Sequence, residues 1–387
     1  MRLRELFEAA APAVGRKYQH VEDLVFTGIP SKDISPGVEA GLHAVRIIRD
    51  MASQSKGKSE IKWDGSPVVY WGRDEAGRFM LIPKNAWDYL KRGKKETTNG
   101  VSTVMTSPKD ISDFILNTGK AEPGKEKQRQ GYANQLANLW SYFESISPEK
   151  GFIEGGLLFY PGTKPQGGTA MSVLNNETGD YDFTPNITSF HIPANSELGQ
   201  RIAKAKVMVA ATGYYSSLGD GSESRYPNAE ELSTDDVIVQ GTTYVQDAPG
   251  IDETLVDQAE DFISTNGESI NSFLAPKQGL SRVGDILYKF YNQNLRIAGV
   301  KQQFTNWASQ NLTDSQAKKV ISDPGLDAVL TAVEKLSIAK LDMYKRASAG
   351  THSGIRQTKP EGYVYQDPDT GQFVKAISQA DWAPRKD

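Results

Sequence analysis

The chain contains no cysteine, so it can form neither a disulfide bond nor a thiolate metal site. Histidine is also scarce, because only His20, His43, His191 and His352 are present and they are spread along the chain. A zinc site of the usual kinds is therefore not expected. Absence of disulfides is typical of proteins from a reducing compartment, and we expect a cytoplasmic protein.

No apolar run approaches the length of about 18 residues that spans a bilayer, so no membrane partner is expected. Glu5 and Glu8 interrupt the apolar N-terminus, which favours a short amphipathic helix there over a secretory signal. The net charge of −4 argues against a uniformly basic nucleic-acid coat protein. A polyanion would have to bind a local patch, and the basic runs at residues 91–95 and 120–129 are either such a patch or solvated loops.

Hydrophobic periodicity predicts a mixed α+β fold. Helices are expected over residues 38–54 and 130–146, and a three-stranded meander between Glu60 and Ile82. Further strands are expected at residues 151–160, 183–192, 206–211, 362–366 and 373–377. We expect the last strands to rejoin the first sheet.

The same patterns predict the domain organisation. Residues 1–211 and 355–387 are expected to form the main α+β body. Residues 212–251, rich at their start in Gly, Ser, Asp and Glu, read as a loop-rich connection. Residues 252–348 have helical periodicity and almost no strand signal, which indicates a helical insertion.

The sequence Lys-Trp-Asp-Gly at residues 62–65 lies at the first turn of the meander and suggests covalent nucleotide chemistry. The ε-amine of Lys62 could attack a phosphorus atom and hold a nucleotide as a phosphoramidate. A lysine attacks only in its neutral form, which burial near other cations favours. The four residues alone are weak evidence, since they also fit an ordinary hairpin turn. A near-match at residues 340–342 lacks the glycine and lies on a predicted helix, so we interpret it as surface charge.

Four further motifs follow in order along the chain. They are Glu-Gly-Gly-Leu at 154–157, Ser-Phe-His-Ile at 189–192, Glu-Gly-Tyr-Val at 361–364 and Phe-Val-Lys-Ala-Ile at 373–377. In this order and strand context, the chain resembles the covalent nucleotidyltransferase superfamily of ATP-dependent DNA and RNA ligases and messenger-RNA capping enzymes. The resemblance covers nearly the whole chain except the helical block. It looks closest to ligase-like proteins of tailed phages, which have a segment like residues 20–24 and would act in the host cytoplasm.

The resemblance implies an ATP-grasp-like nucleotidyltransferase domain of antiparallel sheets that uses ATP and Mg²⁺. It implies that Lys62 takes the AMP, that Lys375 neutralises the α-phosphate, and that Glu154 and Glu361 hold the metal, with the ribose as the other possible contact of Glu154. The implied nucleotide contacts are Glu60 at the adenine amino group, the Asp64 and Gly65 turn, Arg73 and Lys84 at sugar or phosphate, and Phe190 stacked on the adenine. Each of these residues also has an ordinary structural interpretation, such as a turn, a surface charge or a core aromatic. The same holds for His20, Glu22 and Asp23, which are most often polar residues at a helix start.

Three departures from the family pattern stand out. The family usually has a glutamate where Gly156 stands, and a second lysine often stands where this chain has Ile377. Only residues 376–387 follow Lys375, too few for the C-terminal OB-fold that orients the pyrophosphate and clamps the duplex in relatives. The helical block, the N-terminal region or a partner would replace that fold, or the activity would be reduced.

The first hypothesis is therefore an ATP-dependent polynucleotide ligase. It would form lysyl-AMP, transfer AMP to a DNA or RNA 5′-phosphate, and seal that end to a 3′-hydroxyl. The second is a nucleotide- or nucleic-acid-binding protein of the same fold without turnover. The third is a structural protein that uses the helical block as its interface.

Overall fold

The computed structural model describes residues 19–118, 126–163, 170–220, 226, 228–280, 282–294, 299–348, 354–358 and 362–377. The predictions for the N-terminal helix, for Lys120 and Lys125, and for Glu361 lie outside these residues. Within the described ranges the fold is mixed α+β, as expected. None of the helices in these ranges is both long and apolar enough to cross a membrane.

Runs of strands and runs of helices follow one another up to residue 240, and the described elements from residue 253 to 348 are all helices, as the periodicity predicts. The strands are β1 (Gln19–His20), β2 (Glu60–Ile61), β3 (Val68–Arg73), β4 (Phe79–Pro83), β5 (Gly151–Phe159), β6 (Val173–Asn175), β7 (Asp180–Phe183), β8 (Ser189–Pro193), β9 (Val207–Tyr215), β10 (Val237–Gln240), β11 (Arg356–Thr358), β12 (Tyr363–Gln366) and β13 (Phe373–Ala376). The α-helices are α1 (Leu24–Thr27), α2 (Val38–Ser53), α3 (Lys84–Leu90), α4 (Pro108–Asn117), α5 (Glu126–Asn138), α6 (Trp140–Ser145), α7 (Glu197–Ile202), α8 (Glu253–Thr265), α9 (Gly267–Leu274), α10 (Val283–Tyr291), α11 (Val300–Asn311), α12 (Asp314–Ile321) and α13 (Leu326–Ser348).

The chain forms two units. Unit 1 comprises residues 1–62, 244–350 and 362–387, and unit 2 comprises residues 63–243 and 351–361. This division differs from the predicted one, because the helical block shares its apolar core with the N-terminal helices and the last hairpin instead of standing alone. The loop prediction is wrong at β10, a buried apolar strand that pairs in parallel with β9.

Unit 1 is organised around α13, which packs against α2, α8 and α9. Its apolar side chains recur at helical spacing and are almost completely buried, which stabilises the fold by about 1.5–3 kcal/mol for each large side chain. The buried positions along the helix include Leu326, Val329, Val333, Leu336 and Met343.

A four-stranded sheet in the order β1-β13-β12-β2 completes unit 1. β1 is parallel to β13, and the other two pairs are antiparallel. One face of the sheet joins the helical core through Tyr363, Tyr365, Val374 and Ala376. Because successive side chains of a strand point to opposite faces, the residues between these four belong to the other face.

The turn between β12 and β13 is fastened to α2 by a buried histidine. Arg46 donates to Nδ1 of His43 over 2.9 Å, so Nδ1 is an acceptor and the ring proton is on Nε2. Nε2 therefore donates to Oδ2 of Asp367 over 2.7 Å. Burial alone would raise the pKa of Asp367, but hydrogen bonds from His43 and Thr370 outweigh it and hold that pKa below its ordinary value. The hairpin that carries Lys375 is thereby fixed to the helices.

Unit 2 contains two sheets. The larger has the order β10-β9-β5-β3-β4 and is antiparallel except for the β9–β10 pair. The smaller is antiparallel, in the order β11-β8-β7-β6. Helices α3, α4 and α6 pack on the larger sheet, over a core that includes the fully buried Trp71 and Trp87.

Candidate functional site

The two predicted catalytic lysines lie on the same sheet of unit 1. Glu60 on β2 stands opposite Val364 on β12, and Val364 stands opposite Lys375 on β13. Opposite residues in neighbouring strands point to the same face. The N–H of Lys62 donates to the carbonyl of Gly362 over 3.0 Å, which continues the pairing two residues beyond Glu60. Glu60, Lys62 and Lys375 therefore share the face that is turned away from the helical core.

One strand separates the two lysines. Neighbouring strands are about 4.8 Å apart, so the backbones of β2 and β13 are separated by about 10 Å. Lys62 lies two residues along from Glu60, the residue in line with Lys375 across β12, and both lysines have flexible four-carbon side chains. Both lysines are half-buried, while Glu60 is only 7 % exposed. This face combines two amines and a carboxylate.

Asp64 belongs to unit 2, where it organises a loop. Its Oδ1 accepts from Nδ2 of Asn186 over 3.0 Å, and its Oδ2 accepts from the backbone N–H groups of Ile187 and Thr188 over 2.8 and 3.1 Å. The residue is only 6 % exposed. The aspartate of the motif thus fastens the chain after Lys62 to the β7–β8 loop.

Replacing Asp64 by asparagine is expected to lower the free energy of unfolding by about 1–3 kcal/mol, because an amide cannot accept from all three donors. Urea denaturation measures the difference. Asp113→Asn is the matched control, since Asp113 is half-exposed and pairs with the exposed Lys109. Equal losses in the two variants would contradict this account of Asp64.

Gly65 and Gly156 touch through their backbones. A Cβ added to Gly65 would lie 2.4 Å from the carbonyl carbon of Gly156, and one added to Gly156 would lie 2.7 Å from Cα of Gly65. Ser66 N–H donates to the Leu157 carbonyl over 2.8 Å next to this contact. The loop that follows Lys62 therefore requires glycine at position 156.

Phe190 cannot stack on a base in this structure. It has no exposed surface, and its ring stacks with Trp63 at 4.7 Å and with Phe183 at 5.4 Å between ring centroids. The core interpretation is the correct one, and the predicted adenine contact is not accessible. The alternating apolar pattern of β8, with Phe190 and Ile192 both buried, is the signal for it.

Of the two predicted metal ligands, only Glu154 lies within the described residues. Glu361 lies outside the described residues. Glu154 on β5 is 9 % exposed, and its Oε2 accepts from the hydroxyl of Tyr215 over 2.7 Å. Within the described ranges, no three or more His, Asp or Glu side chains are grouped so that they could hold a metal ion. The magnesium pair of Glu154 and Glu361 therefore stays a prediction.

Arg73 and Lys84 occupy opposite ends of the larger sheet. Arg73 ends β3, about 17 Å along the strand from its start near the motif, and donates to the Gly77 carbonyl over 3.0 Å. Its predicted nucleotide contact is therefore not supported by its place. Lys84 follows β4 at the end nearer the motif and pairs with Asp88 over 3.2 Å.

Lys340 is not the surface charge that the near-match suggested. It is 2 % exposed, and its Nζ pairs over 2.5 Å with Oε1 of Glu22, which has no exposed surface. Its position four residues after Leu336 and three before Met343 puts it on the buried face of α13. That spacing is the sequence signal for its burial.

The two basic runs differ in the exposure and contacts of their side chains. Lys91, Arg92, Lys94 and Lys95 are all exposed. Arg129, in contrast, donates to the carbonyls of Ile115, Leu116 and Thr118 at the end of α4, so it stabilises that helix terminus. Residues 91–95 remain the candidate phosphate-binding run.

Comparison with known proteins yields no relative: no protein-family model, curated protein or solved structure matches this chain.

Proposed function

We propose that this protein is an ATP-dependent nucleotidyltransferase of the polynucleotide ligase type, with Lys62 as the nucleotide-carrying residue. The proposal includes an ATP-grasp-like nucleotidyltransferase fold and a DNA or RNA substrate with 5′-phosphate and 3′-hydroxyl ends. The observation that supports it best is the shared sheet face of Glu60, Lys62 and Lys375. Glu60 and Lys62 are far from Lys375 in the sequence, so only the pairing of distant strands brings the three residues onto one face.

In the proposed reaction, neutral Nζ of Lys62 attacks the α-phosphorus of ATP. A P–N bond forms, the bond from the α-phosphorus to the bridging oxygen breaks, and pyrophosphate leaves. The amine loses one proton and pyrophosphate takes one up, so charge and atoms balance. The cation of Lys375 stabilises the negative charge that develops on the phosphoryl oxygens.

Two further steps complete the proposed cycle. A nucleic-acid 5′-phosphate oxygen attacks the lysyl-AMP phosphorus, which breaks the P–N bond and returns the amine to Lys62. A 3′-hydroxyl then attacks the activated 5′-phosphate and releases AMP. The exposed run at residues 91–95 is the proposed contact for the nucleic-acid backbone.

Covalent labelling tests this proposal. After incubation with Mg²⁺ and ATP labelled at the α-phosphate, label is expected to remain on the denatured protein. Because the linkage is a phosphoramidate, the label should be lost in acid and survive alkali. Lys62→Ala is expected to lower labelling by about 10³-fold or more, since the nucleophile itself is removed.

Lys58→Ala is the matched control, because Lys58 is an exposed lysine just before β2. It should label like the unmodified protein. Absence of label at every pH from 6 to 9, or equal labelling of Lys62→Ala, would refute the proposal. Sealing assays with nicked duplex DNA and with broken RNA then identify the substrate.

The binding protein without turnover is the second candidate. Two observations favour it: the buried Phe190 and the engagement of Glu154 with Tyr215. It predicts that ATP binds, measured by calorimetry, while no label becomes covalent.

A further inference from the structure

A buried polar group adjoins the lysine face of unit 1. His20 ends β1, is 9 % exposed, and has its Nδ1 3.8 Å from Oε1 of Glu22. Glu22 in turn pairs with Lys340 of α13. Three ionisable side chains from the N-terminal segment and the helical block are thus linked in series.

This group is aligned with the catalytic face through strand pairing. His20 stands opposite Lys375 in the parallel β1–β13 pair. His20 therefore lies on the same sheet face as Lys62 and Lys375. The order across the sheet is β2 with Lys62, then β12, then β13 with Lys375, then β1 with His20.

The order of the strands matters because the displacement at the α-phosphorus of ATP has a direction. In phosphoryl transfer the attacking and leaving atoms lie roughly in line on opposite sides of the phosphorus. If Lys62 attacks from β2, the pyrophosphate departs across β13 towards β1. The backbone of β1 lies about 14 Å from that of β2, at three strand spacings, which puts His20 on the leaving-group side.

We propose that His20 is the catalytic acid for pyrophosphate departure, and that Glu22 and Lys340 are positioning residues for its imidazolium. The inference rests on the proposed function. The imidazolium donates a proton to the oxygen that leaves the α-phosphorus and is reprotonated from solvent, while the proton of Lys62 is released to solvent. In this role the N-terminal segment, held by α13, contacts the leaving group.

The charged neighbours of His20 are consistent with this role. Glu22 and Asp23 come from the 3-10 helix that follows β1, Lys340 from α13, and Lys375 from β13. Oε1 of Glu22 lies 3.8 Å from Nδ1 of His20 and also pairs with Nζ of Lys340. A pyrophosphate group would meet two cations, Lys375 and His20, in adjacent strands.

The test compares the rate of lysyl-AMP formation in His20→Asn and in the unmodified protein. Loss of a general acid is expected to slow labelling by about 100-fold. The decisive readout uses two ATP analogues with β,γ-methylene and β,γ-difluoromethylene bridges. The fluorinated leaving group is the weaker base and needs less protonation. The loss of labelling rate caused by His20→Asn should therefore be smaller with the fluorinated analogue. A purely structural role of His20 would give equal deficits.

His191→Asn is the matched control, since His191 is a half-buried histidine of unit 2 that pairs with Asp182. It should label at the unmodified rate. If the unmodified protein labels and His20→Asn stays within threefold of it, or if both analogues show equal deficits, the role of His20 is refuted while the ligase function stands. If the unmodified protein does not label at all, the proposed function fails, and the role of His20 fails with it. Glu22→Gln, scored by the same analogue ratio, repeats the test if His20→Asn does not fold.

Discussion

Lys340→Met is expected to lower the free energy of unfolding by about 3–5 kcal/mol, one of the two largest effects we predict. The substitution removes the ammonium partner of the Glu22 carboxylate, and neither residue has more than 2 % of its surface exposed. Water cannot take the place of the lost partner at such a site. The measurement is urea denaturation at pH 7, followed by the circular dichroism of the helical block.

A double-mutant cycle separates the pair from the cost of packing. Glu22→Leu combined with Lys340→Met removes both charges and is expected to regain most of the loss, because an apolar pair of similar volume needs no compensation. Lys345→Met is the control, since Lys345 is exposed on the same helix and should change stability by less than about 0.5 kcal/mol. If Lys340→Met and Lys345→Met unfold at the same urea concentration, the buried pair does not exist in solution.

Local sequence patterns were sufficient to predict most elements. The apolar spacing of α2 and the β-forming residues around Asp64-Gly65 and Gly77 gave helix and strands at nearly the observed bounds. The apolar residues Val237, Ile238 and Val239 were missed because the surrounding composition is that of a loop, and because only parallel pairing with β9 explains their burial. These residues form a strand because β9 lies beside them, and amino-acid composition does not reveal such a neighbour.

The candidate site was predictable only in part, for a similar reason. Strand pairing between β2, β12 and β13 puts Lys62 and Lys375 on one face, and the sequence pattern alone does not specify that register. The resemblance to nucleotidyltransferases suggested both lysines but not the place of His20. Motif matching put Phe190 at the adenine and Lys340 on the surface, whereas the apolar spacing of β8 and α13 around these residues indicates burial.

Gly156→Ala is expected to lower the free energy of unfolding by about 3 kcal/mol or more. Its Cβ would lie 2.7 Å from both Cα and the carbonyl oxygen of Gly65, and backbone atoms cannot rotate away as a side chain does. Gly156→Glu, which adds a larger side chain at the same contact, should be at least as destabilising. Urea denaturation, with covalent labelling as a second readout, measures both variants.

Gly131→Ala supplies the control for backbone entropy. Gly131 lies on α5 with nothing within 4 Å of an added Cβ, so alanine there should stabilise the protein by about 0.5–1 kcal/mol. Wild-type stability in Gly156→Ala would show that the glycines are farther apart than in this structure. The expected loss would mean that Gly65 of the lysine motif and Gly156 of the next motif form one contact. The loop that follows Lys62 then leaves no room for a side chain at position 156.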